Sequence, residues 1–460
     1  MNLILITVDC LRADHLSCLG YSKRTTPNLD NLAGAGVLFS QAISVSYWTA
    51  PSFISIFTST YPLMYGGQLF VTKRGVTLTR ALKEHGYATA AFHSNPWLSS
   101  YFGYHRGFDT FDYSVHRSGR ESLLSRPKKL VKHIIGTNGK LYDFLCQVYG
   151  ALMIGRSHYG CEDLNKKAMR WLHDNSDNFF LWLHYMDVHE PYLPPQGIIL
   201  PFNKRHLAKL NRKAEHNKYM GSEPNSLSAG EVNELLDLYA AKVGYVDEAI
   251  GSFLRALKQS NILDNTLIIV TADHGQQFME HRYYGHRSCL YDELIRVPLI
   301  IFDPGLKSNV ISQQVSLLDL APTILDILGI EKPKAFLGNS LLPLMSGDKG
   351  KTGNLEAISE ADVLSILGAK ITKRLDVNQS VISLRTGKWK YIYTEGGQDE
   401  LYCLEDDSKE TKNIINVEPD MAKELRARIM THIELEGRSV PREEELIKAK
   451  VRRLKDSGKI

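Results

Sequence analysis

At 460 residues the chain is longer than one ordinary hydrophobic core requires, so a large domain with a smaller companion is expected. With 43% hydrophobic and 23% charged residues the composition is that of a soluble globular protein, and a formal net charge of +4 over this length does not imply nucleic acid. Six cysteines (Cys10, Cys18, Cys146, Cys161, Cys289 and Cys403) follow neither a disulfide framework nor a zinc-knuckle spacing, which suits a reducing cytoplasm.

The N-terminal MNLILITVDCLRAD has no basic leader region and no small-residue cleavage site, so it reads as a buried strand over residues 3 to 8 that ends in Asp9. Residues 46 to 62, SYWTAPSFISIFTSTYP, place Thr49 before Pro51 and Ser52 at the mouth of a helix, where it is either a cap or a nucleophile. Apolar runs at 87 to 92 (YATAAF), 179 to 185 (FFLWLHY), 266 to 273 (TLIIVTAD) and 297 to 302 (VPLIIF) read as strands buried on both faces. Between them, residues 233 to 261 show helical periodicity and lead almost directly into the strand at 266. Two basic stretches, 117–140 and 203–218, read first as solvated helix faces and second as patches that meet an anionic substrate or a membrane surface. From about residue 351 the texture changes to a hairpin or meander with Gly-rich turns, followed by an amphipathic helix around MAKELRARIMTHIELE. The expected domains are therefore 1–350 and 351–460. No apolar run approaches the ~20 residues that a bilayer-spanning helix needs, and a cytoplasmic location is expected.

The polar residues cluster at strand ends, which is where α/β folds bind ligands. Asp9 closes the first strand, Asp273 and His274 close the strand at 266, and Asp187 and His189 follow FFLWLHY in MDVHEPYLPP. His286 follows shortly in YGHRS. Asp with imidazole is a mixed donor set that a divalent metal accepts, although a lone Asp at a strand end is more often a turn or helix cap.

The ordered blocks ITVDCLRADHLSCLGY, TAPSFISIFTSTYP, HYMDVHEPYLPP, TLIIVTADHG, LYDELIRVPLII, LLDLAPTILDILGI and WKYIY…ELYCLEDDSKETKNI resemble the signature blocks of the sulfatase family, within the alkaline phosphatase superfamily. The resemblance covers nearly the whole chain apart from about 113–165 and 200–225. It implies an alkaline-phosphatase-like α/β/α sandwich with a large mixed sheet, plus a small C-terminal antiparallel sheet with a packed helix. It also implies one divalent metal ion (Ca, Mn, Mg or Zn) held by Asp9, Asp273, His274 and Thr49, with His189 and His286 as catalytic partners. Asn95, Asp187 and Lys390 are expected near the substrate, and Asp187 or His189 could serve a second ion.

The departures from the family pattern carry chemistry. Sulfatases present Cys or Ser, any residue, then Pro-Ser-Arg, and convert the first residue to formylglycine. Here Thr49 holds that place and Phe53 replaces the Arg, so no formylglycine is expected. Cys10 stands where the second of two ligating Asp residues is usual, and FHSNP, with Asn95, replaces the Gly-Lys-x-His element. A formylglycine hydrate releases sulfate by elimination, an exit that a plain alkoxide lacks. The resemblance with Thr49 therefore implies phosphate mono- or diesters and phosphonate esters ahead of sulfate esters, and a small anionic ester as the partner. The alternatives are transfer of a phospho-group to an acceptor alcohol and a non-catalytic binding protein.

Overall fold

A computed structural model of the chain describes residues 1–65, 71, 75–113, 160–193, 203–220, 227–347, 356–361 and 380–439. The basic stretch 117–140 and the expected domain division near 350 lie outside the described residues.

The apolar runs become the middle of one sheet. In chain order its first members are β1 (Asn2–Val8), β2 (Val37–Ile43), β3 (Ala88–His93), β4 (Thr110–Tyr113), β5 (Phe179–Tyr185) and β6 (Thr266–Ala272). A two-stranded ribbon, β7 (Gln277–Phe278) with β8 (Tyr284–Gly285), precedes β9 (Arg296–Phe302) and β10 (Asn309–Ser316). The eight-stranded order is β10-β2-β9-β6-β1-β5-β3-β4, and every pairing is parallel except those of β9. All residues of β1, β5 and β6 are buried, as strands covered on both faces must be. The helices pack in two groups, 27–35, 161–174 and 229–259 in one and 49–58, 78–84 and 320–327 in the other, forming the outer layers of the α/β/α sandwich.

The long helix spans Ala229–Gln259 and begins four residues before the periodicity suggested. Ser228 explains the start: its side chain accepts from Glu231 N while the Glu231 carboxylate accepts from Ser228 N, a capping box.

The C-terminal meander is an antiparallel sheet of β11 (Ala357–Ala361), β12 (Val381–Arg385), β13 (Trp389–Thr394) and β14 (Glu400–Cys403), with the helix Pro419–Ser439 packed on β12 and β13. A second apolar cluster joins this sheet to the main body, with Ala357, Val381, Ile392 and Tyr402 meeting Ile43, Tyr47, Trp48 and Leu294. An ionic seam runs beside it. Lys390, 0% exposed, lies 2.8 Å from Asp292 Oδ1 and 2.6 Å from Glu410 Oε1, and Arg385 binds both oxygens of Asp292. Lys390 is thus committed to a buried structural pair, and the expectation that it faces the substrate is corrected.

Lys390→Ala leaves two buried carboxylates without their shared cation and is expected to cost about 3–5 kcal/mol, read as a lower urea midpoint. His281 adds a pH dependence to the same seam. Its Nδ1 faces Glu293 Oε1 at 2.7 Å and its Nε2 faces the Glu410 carbonyl at 3.0 Å, and only imidazolium donates to both. Burial opposes that charge, but the hydrogen bond and charge of Glu293 outweigh it and raise the pKa from 6.5 to about 9. Because the folded value lies above the unfolded one, this stabilisation is full below about pH 6.5 and disappears as pH rises through about 9. Melting temperature measured from pH 6 to 10 should fall over that window, and His281→Gln should flatten the fall.

Candidate active site

The parallel run β6-β1-β5-β3 delivers four strand ends to one edge of the sheet, and β2, antiparallel to β9 like β6, ends there too. Val8 pairs with Ala272, so Asp9 and Asp273 leave neighbouring strands side by side, both 0% exposed. The segment after β2 turns into the helix Thr49–Thr58, whose N-cap is Trp48 in extended conformation with no side-chain cap bond. Thr49 is therefore the first helical residue, and its hydroxyl is not used in capping.

That hydroxyl donates to Asp9 Oδ2 at 3.3 Å and lies 3.3 Å from His274 Nε2. His274 Nδ1 donates to the Gly275 carbonyl at 2.8 Å, which leaves the Nε2 lone pair facing Asp9 Oδ1 and Asp273 Oδ2, each at 3.6 Å. Gly275 is required by close approach, since a Cβ there would sit 2.0 Å from the Glu293 carbonyl oxygen. Asp273 Oδ2 is buried without a hydrogen-bond partner. Ligand-capable atoms of Asp9, Asp273 and His274 all lie within 4.8 Å of one another. Two carboxylates, a free imidazole lone pair and an unpartnered oxygen converging on one point fit a divalent cation.

The charges support the same reading. Burial opposes ionisation of Asp9, but the His184 hydrogen bond and the His189 and His274 charges hold its carboxyl well below the usual range. Burial, and then the negative charge of Asp9, push Asp273 well above it. Burial, then Asp9 and Glu190, push the Cys10 thiol up.

Around this centre, Asn95 Nδ2 donates to Asp9 Oδ2 at 3.0 Å while its Oδ1 accepts from Trp97 N, so Asn95 braces a carboxylate. The His189 and His286 rings stand 5.3 Å apart, and His286 is 4.9 Å from the His274 ring. His286 Nδ1 faces Gln276 Oε1 at 3.2 Å, and Gln276 Nε2 donates to Glu190 at 2.6 Å. Burial, followed by Lys218 and His274, holds the His286 imidazole in its neutral form.

The sulfatase family model matches residues 1–330, and the model of the C-terminal region of N-sulphoglucosamine sulphohydrolase matches 279–436. This chain belongs to the sulfatase family. Arylsulfatase K of Canis lupus familiaris is 31% identical over 231 residues, covering 49% of this chain and 42% of that protein. The match thus spans less than half of that relative. Phosphonate monoester hydrolase of Agrobacterium radiobacter superposes with a TM-score of 0.72 at 20% identity, covering 95% of this chain and 96% of that one. A putative sulfatase from Bacteroides thetaiotaomicron gives a TM-score of 0.70 at 19% identity, covering 96% and 94%. The fold is that of these structures.

Asp187 is turned away from the cluster that the family pattern led one to expect it in. Its Oδ2 accepts from Cys161 N at 3.0 Å, where it caps the helix Cys161–Asp174 in place of the side-chain-free N-cap Gly160, and burial raises its carboxyl to about 6. Three residues at the site carried no clear sequence signal. His184 places Nε2 3.4 Å from Asp9 Oδ2, with Nδ1 on Thr7 Oγ1 at 3.0 Å, and it was legible only as the one histidine in FFLWLHY. Lys218, from a stretch that reads as a solvated face, pairs with Glu190. Lys242 donates to the His189 carbonyl at 2.9 Å, with burial lowering its pKa to about 8. Phe53, in the place of the family Arg, packs edge-on against His184 at 4.9 Å.

Asp187→Ala is expected to lower stability by about 1 kcal/mol, as loss of a helix cap does, while leaving kcat/KM on any processed ester unchanged. Chemical denaturation beside steady-state kinetics measures both.

Proposed function

We propose that this sulfatase-family chain is a metal-dependent ester hydrolase that uses Thr49 as its nucleophile and favours phosphate and phosphonate esters over sulfate esters. The observation that carries this reading is the placement of Thr49 Oγ1, 3.3 Å from both Asp9 Oδ2 and His274 Nε2 on the first residue of a buried helix. Asp9, Asp273 and His274, with Thr49 Oγ1, would hold one divalent cation, which when bound lowers the hydroxyl pKa and offsets charge on the ester.

The residues supply the rest. Thr49 Oγ1 loses its proton, which the neutral His286 imidazole takes up by way of solvent, and attacks in line, forming an Oγ–P bond as the bond to the departing alkoxide breaks. The Thr49 and Ala50 N–H groups at the helix N-terminus, together with His189, receive the non-bridging oxygens, because Pro51 offers no N–H. His286 carries a proton to the leaving oxygen. Water then attacks phosphorus, frees Thr49 and completes hydrolysis. The threonine side chain is a secondary alcohol, so its sulfo-ester lacks the geminal hydroxyl through which a formylglycine adduct expels sulfate. Phosphorus accepts direct attack by water, which is why phosphorus esters fit this nucleophile better.

Thr49→Ala should keep its metal content and lose turnover roughly 10³-fold or more, with hydrolysis of paired aryl phosphate, phosphonate, phosphodiester and sulfate esters as the assay. Turnover close to wild type in that variant would sink the assignment. Removing the metal with a chelator should abolish hydrolysis of every ester processed, and metal addition should restore it.

A further inference from the structure

The loop after β3 brings an aromatic surface to the edge of the site. Asn95 caps the short turn Pro96–Leu98 by accepting from Trp97 N at 2.9 Å, while its Nδ2 donates to Asp9 Oδ2 at 3.0 Å. One hydrogen bond thus ties Trp97 to the residue that braces the carboxylate met by the Thr49 hydroxyl, yet the Trp97 side chain is 44% exposed. Its ring stands perpendicular to that of Trp48, at 5.8 Å and 88°, and 5.8 Å from the ring of Phe102. Trp48 immediately precedes Thr49 and is only 7% exposed. Its Nε1 is buried without a hydrogen-bond partner among the described residues. A single exposed aromatic is ordinary. Two indoles in contact, one adjoining the nucleophile in the chain and the other tied to the Asp9 brace, form a surface continuous with the site.

We infer that Trp97, supported by Trp48, is the specificity-determining platform for a planar ring on the substituent that stays on phosphorus. The substrate is then an ester whose phosphorus keeps one ring-bearing group after cleavage, a phosphonate monoester or a phosphodiester and not a phosphate monoester. The inference rests on the ester-hydrolase reading above. Position separates the platform from the leaving group. In the order β6-β1-β5-β3, the segment bearing His274 and His286 follows β6 and the loop of Asn95 and Trp97 follows β3, with Asp9 at the end of β1 between them. The Asp9 carboxylate repeats that division: Oδ1 faces His274, whose ring is 4.9 Å from that of His286, and Oδ2 accepts from Asn95. In-line displacement also sends the departing alkoxide away from Thr49, whereas Trp48 adjoins Thr49. The group on the platform is therefore an equatorial one that persists: only the Oγ–P bond forms and only the bond to the alkoxide breaks. A phosphate monoester has nothing but oxygen at the equatorial positions. An indole face favours a ring over a small alkyl group through stacked or edge-on contact.

The test compares two esters with one leaving group, 4-nitrophenyl phenylphosphonate and 4-nitrophenyl methylphosphonate, on the full-length, metal-supplemented protein. The phenyl-to-methyl ratio of kcat/KM in the wild type should exceed that in Trp97→Ala about tenfold, with the difference in KM, and Trp97→Phe should recover most of it. Taking the ratio cancels the intrinsic reactivities of the two esters. Binding of the products phenylphosphonate and methylphosphonate, measured by calorimetry, gives a second readout independent of turnover: the wild type should bind the phenyl compound about tenfold more tightly. Equal wild-type affinity for the two products overturns the platform without recourse to any variant. A ratio of kcat/KM unchanged in Trp97→Ala, with both esters slowed alike or neither affected, overturns it too and leaves the hydrolase reading standing. Tight phenylphosphonate binding that depends on Trp97, without hydrolysis of either ester, overturns the hydrolase reading and keeps the platform. Neither binding nor hydrolysis in the wild type overturns both.

Discussion

Two carboxylates leave adjacent, fully buried strands of one sheet and face each other, and much of the surrounding structure follows from that conflict. Neighbouring strands run about 4.8 Å apart, so Asp9 and Asp273 cannot separate without breaking the β1-β6 register. Burial of both raises the cost of ionising either one, and the first charge raises the cost of the second. The chain meets this with an arc of groups around Asp9: the Asn95 amide, the Thr49 hydroxyl, the Cys10 thiol and the His184 and His274 rings. On the Asp273 side the backbone N–H of His274 satisfies Oδ1, while Oδ2 keeps an open position. The asymmetry leaves the open position on the side where the protein has not already supplied donors.

The Thr49 hydroxyl beside that opening stands on a rigid approach, which the small C-terminal sheet provides. Residues 44 to 46, which lead into the helix of Thr49, are held by β11: Glu360 N donates to the Val45 carbonyl, Ser46 Oγ to the Glu360 carbonyl and Ser359 Oγ to the Ser44 carbonyl. Glu360 in turn accepts from Leu63 N and faces His432 of the C-terminal helix at 2.7 Å. Thr49 is thus gripped between the main sheet and the companion sheet. The ionic seam of Lys390, Asp292, Arg385 and Glu410 fixes the register of the grip, because a buried charge network tolerates little sliding once its partners are set.

Residues at the strand ends were more legible in the sequence than the outer strands of the sheet. Asp9, Asp273 and His274 stood out because a charged residue after a continuous apolar run has little reason to be there except a cap or a ligand, and the family blocks chose between the two. β2 was harder to see: Ser40 and Gln41 interrupt VLFSQAI, and they are only half-buried where the pairing with β9 shifts register. β10 is an edge strand whose exposed Gln313 and buried Gln314 break any simple alternation. Asp187 and Lys390 were placed by analogy of motif. Their partners, Cys161 N and the Asp292–Glu410 pair, lie tens of residues away along the chain, where local pattern carries no information. The contribution of Lys218 was hidden for the same reason, since a basic helix looks alike whether its last turn meets water or a buried glutamate.

Three of the four departures from the family pattern are physically linked. Phe53 stands in place of the usual Arg, and its aromatic ring packs on His184, which faces the same Asp9 carboxylate. Cys10 stands in place of the second Asp, and its thiol donates to Asp9 Oδ1. In the proposed reading, with the Arg gone and Pro51 lacking an N–H, charge on an incoming ester would fall chiefly to the cation and to the helix start at Thr49. In that reading a threonine hydroxyl would need no oxidative maturation before it could act, and the substitutions around Asp9 would belong to one altered electrostatic arrangement.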